Sequence, residues 1–137
     1  MTFDPYIHFQ GNCRAAMQAY REIFGGTLEV MTYAEMPGAP PDMAASTLVM
    51  HATLRVGDRN VMASDFPPGT EGDPQQAMTI SHEAATEAEA RRIFAALGEG
   101  GTVISPFQPT FWSDGFGMVK DRFGTHWMIS APWRQPG

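Results

Sequence analysis

The sequence predicts an α+β fold: two tandem βαβββ modules whose curled, mixed or antiparallel sheets surround a cavity. Three observations predict it. The order strand, helix, three strands occurs twice, a Pro/Gly-rich stretch separates the two runs, and each run holds one amphipathic helix. One helix covers one face of a sheet and leaves the other bare, so two such units can curl their bare faces around shared space. The modules cover residues 1–68 and 75–137 of a single domain spanning residues 1–137.

The first strand is expected at Tyr6-Ile7-His8-Phe9-Gln10, aromatic and β-branched, and stopped by Gly11. Asn12 is placed to cap a helix whose apolar residues Cys13, Met17, Tyr20 and Phe24 recur at helical spacing. Gly25-Gly26 ends that helix in a left-handed conformation. Thr27 to Tyr33 forms the second strand, and the Pro/Gly run 36–41 can only be a loop. Thr47 to Val56 and Asn60 to Asp65 follow as strands around the turn Gly57-Asp58-Arg59. The stretch 67–74 is the seam.

In the second module Ala77 to Ile80 is the expected strand. Thr86 and Glu89 make a capping box for a helix with Ala90, Ile93, Phe94 and Leu97 on one face, closed by Gly98. Strands are then expected near Thr102 to Pro106, Gly115 to Lys120 and Thr125 to Ser130, the last two joined by Asp121-Arg122-Phe123-Gly124.

Composition narrows the function. Hydrophobic residues make up 43% of the chain and charged residues 18%, enough apolar surface for a real core. No run reaches the roughly 20 apolar residues of a membrane helix. The start, Met1-Thr2-Phe3-Asp4-Pro5, has no basic region or apolar stretch of a signal peptide. One cysteine, Cys13, allows no internal disulfide, so a cytoplasmic location is expected. Nine Lys and Arg residues, unclustered in a chain of net charge −6, give no footprint for nucleic acid. Ten methionines offer soft, adaptable surface for a core or a binding site.

Short motifs in a fixed order carry a resemblance over nearly the whole chain. They are Pro5-Tyr6-Ile7-His8-Phe9 with Gly11-Asn12-Cys13-Arg14, then Tyr20 and Phe24-Gly25-Gly26. Glu35-Met36-Pro37, His51-Ala52 and Met62-Ala63-Ser64-Asp65 follow. Thr110-Phe111-Trp112, Gly115-Phe116-Gly117, Asp121-Arg122-Phe123-Gly124 and Trp127-Met128-Ile129 complete the series. The sequence thus resembles the vicinal-oxygen-chelate superfamily of glyoxalase I, extradiol dioxygenases and the fosfomycin and bleomycin resistance proteins. Within it, the chain is similar to the PhnB-like branch, often labelled 3-demethylubiquinone-9 3-methyltransferase-like. The methyltransferase label finds no glycine-rich strand-to-helix cofactor loop in this sequence.

The resemblance implies a glyoxalase-like fold, a homodimer and a small-molecule ligand. It also implies four metal-ligand positions, on strands one, four, five and eight. These fall on Pro5, Asp65, Met78 (or Gln76) and Met128. One carboxylate with thioethers is a poor set for hard divalent ions and for zinc. No metal site and no cofactor are therefore expected, with Asp65 as the one plausible remnant ligand.

His51 and Asp65 are the candidate catalytic residues. Alternation on the third strand sets Met50, Ala52, Leu54 and Val56 against His51, Thr53 and Arg55, and the apolar set should meet the helix. That turns His51 and Arg55 towards the pocket; alternatively His51 is a hydrogen-bonded strand residue on a solvated face. Asp65 is a base, a remnant ligand, or the start of the turn that follows. Glu35 sits at the mouth of a long loop, either over the pocket or simply exposed. Trp112, Phe116, Trp127 and Met128 supply an apolar wall, with the Ser113-Asp114-Gly115 segment flexed by glycine; core packing explains each singly. His8 is expected to be structural, while His82 (in a polar turn) and His126 should face outwards. Cys13 reads as a buried structural residue rather than an activated thiol. The expected function is binding of a small oxygenated molecule without the four-ligand metal site. The alternative is a metal-assisted or acid/base isomerase or lyase.

Overall fold

A computed structural model describes residues 2–134. Its ten elements are β1 (Tyr6–Phe9), α1 (Cys13–Phe24), β2 (Thr27–Thr32), β3 (Val49–Val56), β4 (Arg59–Asp65), β5 (Ile80–Glu83), α2 (Glu87–Gly98), β6 (Thr102–Gln108), β7 (Phe116–Lys120) and β8 (His126–Ser130). They fall into two compact units, Met1–Gln75 and Gln76–Gly137. Each is strand, helix and three strands, so the α+β reading with a repeated module holds.

The first unit carries an open four-stranded sheet in the order β1-β4-β3-β2. β1 runs parallel to β4, and the other pairs are antiparallel. Ile7, Phe9, Met17, Tyr20, Val49, Ala52, Leu54 and Ala63 are buried between this sheet and α1. Each larger side chain among them contributes about 1.5–3 kcal/mol of burial. Gly26 shows why glycine follows this helix. Its φ is +91°, and a Cβ there would lie 2.1 Å from the carbonyl oxygen of Arg55.

The second unit repeats the plan in the order β5-β8-β7-β6, with β5 parallel to β8. Ala90, Ile93 and Leu97 of α2 pack on Val119, Trp127 and Ile129. Phe94 is half-buried against Phe107 at 5.6 Å between ring centroids. Thr86 caps α2 by accepting from the Glu89 amide, while the Glu89 carboxylate is taken by Arg92.

Five local expectations are corrected. Asn12 makes no side-chain cap; α1 is held at that end by a carboxylate from β4. The buried face of β3 begins at Val49, not Met50, because a bulge beside Met31–Thr32 shifts the alternation by one. The strand expected at Ala77 to Ile80 lies at Ile80–Glu83, since Ala77 has a φ of +57° that breaks the extended run. Gly98 is the last residue of α2, and an extended Glu99 closes the helix. β6 runs past Pro106, which an edge strand tolerates because its amide need not pair.

Candidate functional site

The face of the first sheet opposite α1 gathers the polar chemistry of this unit. Ile7 and Phe9 point into the core, so Tyr6 and His8 stand on the other face. Register places Tyr6 beside Met62 and Thr53, and His8 beside Ser64. His51 is half-buried there, and both of its ring nitrogens are engaged. Nδ1 is 3.0 Å from the Tyr6 hydroxyl, and Nε2 is 2.9 Å from Thr53 Oγ1. With the ring hydrogen on Nε2, Tyr6 donates to Nδ1 and Nε2–H donates to Thr53; the other tautomer reverses both bonds. His8 Nδ1 lies 3.3 Å from Ser64 Oγ. Aromatic rings flank the group, with centroids of Tyr6 and His8 5.1 Å apart and those of His8 and Phe66 5.5 Å apart. Tyr6 remains 40% exposed, so the network meets solvent through its phenol. His8, expected to be structural, stands on the same face as His51. Arg55 shares that face by alternation and is exposed.

Asp65 does not join His51. It is buried on the helix side of β4, where its carboxylate accepts three backbone amides. Oδ1 takes Gly11 at 2.9 Å and Cys13 at 3.0 Å, and Oδ2 takes Val49 at 2.9 Å. The Tyr33 hydroxyl donates to the Asp65 carbonyl oxygen at 2.7 Å. A carboxylate at the first turn of a helix also meets the favourable end of the helix dipole. Asp65 thus ties β1, α1, β3 and β4 together. Burial first, and the Asp65 charge second, push the neighbouring Cys13 thiol up to about 12. The same two causes raise Tyr33. Glu35 is bound into its own turn, accepting from Thr32 Oγ1 at 2.9 Å.

In the second unit, Trp112 and Phe116 meet edge to face at 5.3 Å, and Phe111 packs on Trp112 at 4.7 Å. Trp127 does not belong with them. It is 2% exposed on the helix side, and its indole nitrogen donates to Asp121 Oδ2 at 2.9 Å. Met128 stands on the opposite face with Met118 as its cross-strand partner. The segment expected to flex is pinned: Ser113 Oγ donates to the carbonyls of Gly115 and Ala131 at 2.8 and 3.1 Å. A Cβ on Gly115 would overlap the Phe107 ring. His82 is not in an exposed turn; it lies in β5, half-buried, and burial lowers its pKa. His126 is half-buried as well, and its Nδ1 is shielded and has no hydrogen-bond partner among the described residues.

The residues at the superfamily's metal positions do not fit a divalent ion. Pro5 offers only its carbonyl, which accepts from Met62 at 3.0 Å. Asp65 is buried with both carboxylate oxygens already accepting backbone amides, and Met78 is 76% exposed ahead of β5. Among the described residues, no three His, Cys, Asp or Glu side chains cluster to hold a metal. Residue patterning missed Tyr6 and Ser64 because their partners are distant in sequence: Tyr6 and His51 are 45 residues apart, and Ser64 and His8 are 56 apart.

Comparison with known proteins agrees with this architecture. A family model described as 3-demethylubiquinone-9 3-methyltransferase matches residues 2–130. Protein YjdN of Escherichia coli K12 is 32% identical over 99% of both chains. The crystal structure of protein PA1353 from Pseudomonas aeruginosa superposes with a TM-score of 0.87 at 41% identity, covering 96% of this chain and 97% of that one. A Bacillus cereus structure described as a putative 3-demethylubiquinone-9 3-methyltransferase, PhnB protein, has a TM-score of 0.76 at 22% identity. It covers 96% of this chain and 100% of its own, and so shares the fold. The same fold occurs in glyoxalase/bleomycin resistance/dioxygenase proteins.

Proposed function

The chain belongs to the PhnB-like family described as 3-demethylubiquinone-9 3-methyltransferase, and on that premise we propose that it binds a small oxygenated molecule on the face of the first sheet opposite α1. The observation that carries this reading is the Tyr6–His51–Thr53 chain of hydrogen bonds, half-buried yet open to solvent at the phenol. Hydroxyl and imidazole groups both donate and accept, which suits a carbonyl, hydroxyl or carboxylate ligand. The rings of Tyr6, His8 and Phe66 supply its apolar flank. Capture rests on these groups and on no divalent metal or other cofactor. The family description names a methyl transfer, but the mixed sheets hold no doubly wound parallel core for a nucleotide-type methyl donor.

A second reading has its own support. The Tyr6–His51 pair can move a proton, the phenol passing one to Nδ1 while the ring is steadied by Thr53. That is the machinery of an acid/base isomerase or lyase, a reading in which Asp65 holds backbone through its three amide partners and the Tyr6–His51 pair carries the proton. The assembly we propose is a homodimer acting in the cytoplasm, and light scattering at micromolar concentration reads the first point. A thermal-shift screen with small keto, hydroxy and carboxylic acids tests the binding reading. At least one compound should raise the melting temperature of the wild type and not that of His51→Ala. Equal stabilisation of both proteins would reject the site.

A further inference from the structure

We propose that Met118, Met128 and His126 form a site for a soft monovalent metal ion of the Cu(I) type, on the face of the second sheet opposite α2. The assignment lies outside the ligand site of the first unit and does not depend on it. Val119, Trp127 and Ile129 fill the core beneath α2. Strand alternation therefore turns Met118, His126 and Met128 to the other face. Met118 and Met128 are direct cross-strand partners, and His126 lies two residues from Met128 on that same face. Directly opposed Cβ atoms in an antiparallel pair are about 5 Å apart, and diagonal neighbours stay within reach of long side chains. Two thioethers and one imidazole can thus converge on one ion.

The donor chemistry selects the ion. Thioethers are soft and uncharged, and they favour Cu(I) over the hard divalent ions that need carboxylates. Two carboxylates of this unit are committed elsewhere: Glu83 accepts from the Trp133 amide, and Asp121 holds the Trp127 indole on the core side. Lys120 is the direct partner of His126, is exposed, and adds a positive charge that further disfavours a divalent ion. All three proposed ligands are half-buried. The independent sign of a missing partner is His126 Nδ1, shielded from solvent without a hydrogen bond among the described residues. A buried polar atom in that state costs free energy that a bound ion would recover.

The test uses the full chain with its methionine methyl groups labelled with carbon-13. Ag(I), a redox-stable substitute, is titrated first, followed by Cu(I) kept reduced without oxygen. The expected result is saturable binding of one ion that shifts the Met118 and Met128 methyl signals and leaves Met31 and Met62 unmoved. Met118→Leu with Met128→Leu should abolish uptake in competition with a Cu(I) chelator. His126→Gln should weaken it, and Met31→Leu with Met62→Leu should not change it. If the paired leucine variant fails to fold, the wild-type methyl shifts decide. Absence of those shifts, uptake lost on Cys13→Ala, or equal response to Zn(II) would overturn the proposal.

Discussion

Replacing Asp65 by Asn separates a structural carboxylate from a catalytic one. The side chain is 2% exposed, and its two oxygens accept three amides from Gly11, Cys13 and Val49. Asn keeps one acceptor oxygen and turns an NH2 group towards amide hydrogens that previously met the other. At least one buried amide is then unpaired, at about 1–3 kcal/mol, and the bonds that remain lose their charge assistance. The expected total is about 2–4 kcal/mol, which lowers the melting temperature by roughly 10 °C for a chain of this size. Asp65→Ala, which strands all three amides, should cost more. Thermal unfolding by circular dichroism reads both, and hydrogen exchange at the Cys13 and Val49 amides reports the local loss. A melting temperature within error of the wild type would refute the assignment. So would a stable Asp65→Asn protein that has lost ligand binding, because Asp65 would then belong to the site.

Three further outcomes follow from the same geometry. The Cys13 thiol, ordinarily ionising at 9.0 and pushed up to about 12, should resist alkylation in the folded protein at pH 8 and react on unfolding. Because the folded value lies above the unfolded one, its contribution to stability is complete below 9.0 and is lost as pH rises towards about 12; a chemical-denaturation series with Cys13→Ala as control measures it. Asp121→Asn removes the acceptor of the Trp127 indole or of the Phe123 and Thr125 amides, and should cost about 1–3 kcal/mol with a changed near-ultraviolet spectrum. Gly26→Ala combines a positive φ with an overlap against the Arg55 carbonyl and should destabilise by about 2 kcal/mol or more in urea unfolding, whereas Gly38→Ala, with open space at its Cβ, should show only the smaller strain of its own positive φ.

The elements that the sequence announces are those whose signals are local. Helical spacing in Cys13–Phe24 and Glu87–Gly98 reads directly, because one face of each helix meets a core. β5 escapes because apolar Met78-Thr79-Ile80 resembles a strand better than Ser81-His82-Glu83 does, yet pairing with β8 selects the polar run. β5 is an edge strand, and an edge accepts polar residues. The shift of one residue on β3 comes from a bulge that no residue pattern marks. Asp65 carries the same lesson for the site. Its position before a proline-rich turn suggests turn chemistry, while its amide partners lie 54, 52 and 16 residues away. Alternation alone set His51 and Thr53 on the strand face opposite Ala52 and Leu54, but Tyr6, which gives His51 a partner, was not legible. Trp127 and Met128 illustrate the limit of alternation: it says that the two face opposite ways, and only the packing of α2 decides which is buried.

The proposed binding site for a small oxygenated ligand is the Tyr6–His51–Thr53 network. Its most direct test is a nuclear magnetic resonance titration of the nitrogen-15-labelled protein with keto, hydroxy and carboxylic acids. A binding compound should move the His51 ring nitrogens and the amides of Tyr6–Phe9, Val49–Val56 and Arg59–Asp65, and His51→Ala should remove the response. Binding that leaves those signals in place, persistence in His51→Ala, or no binding by any compound of these classes would contradict it.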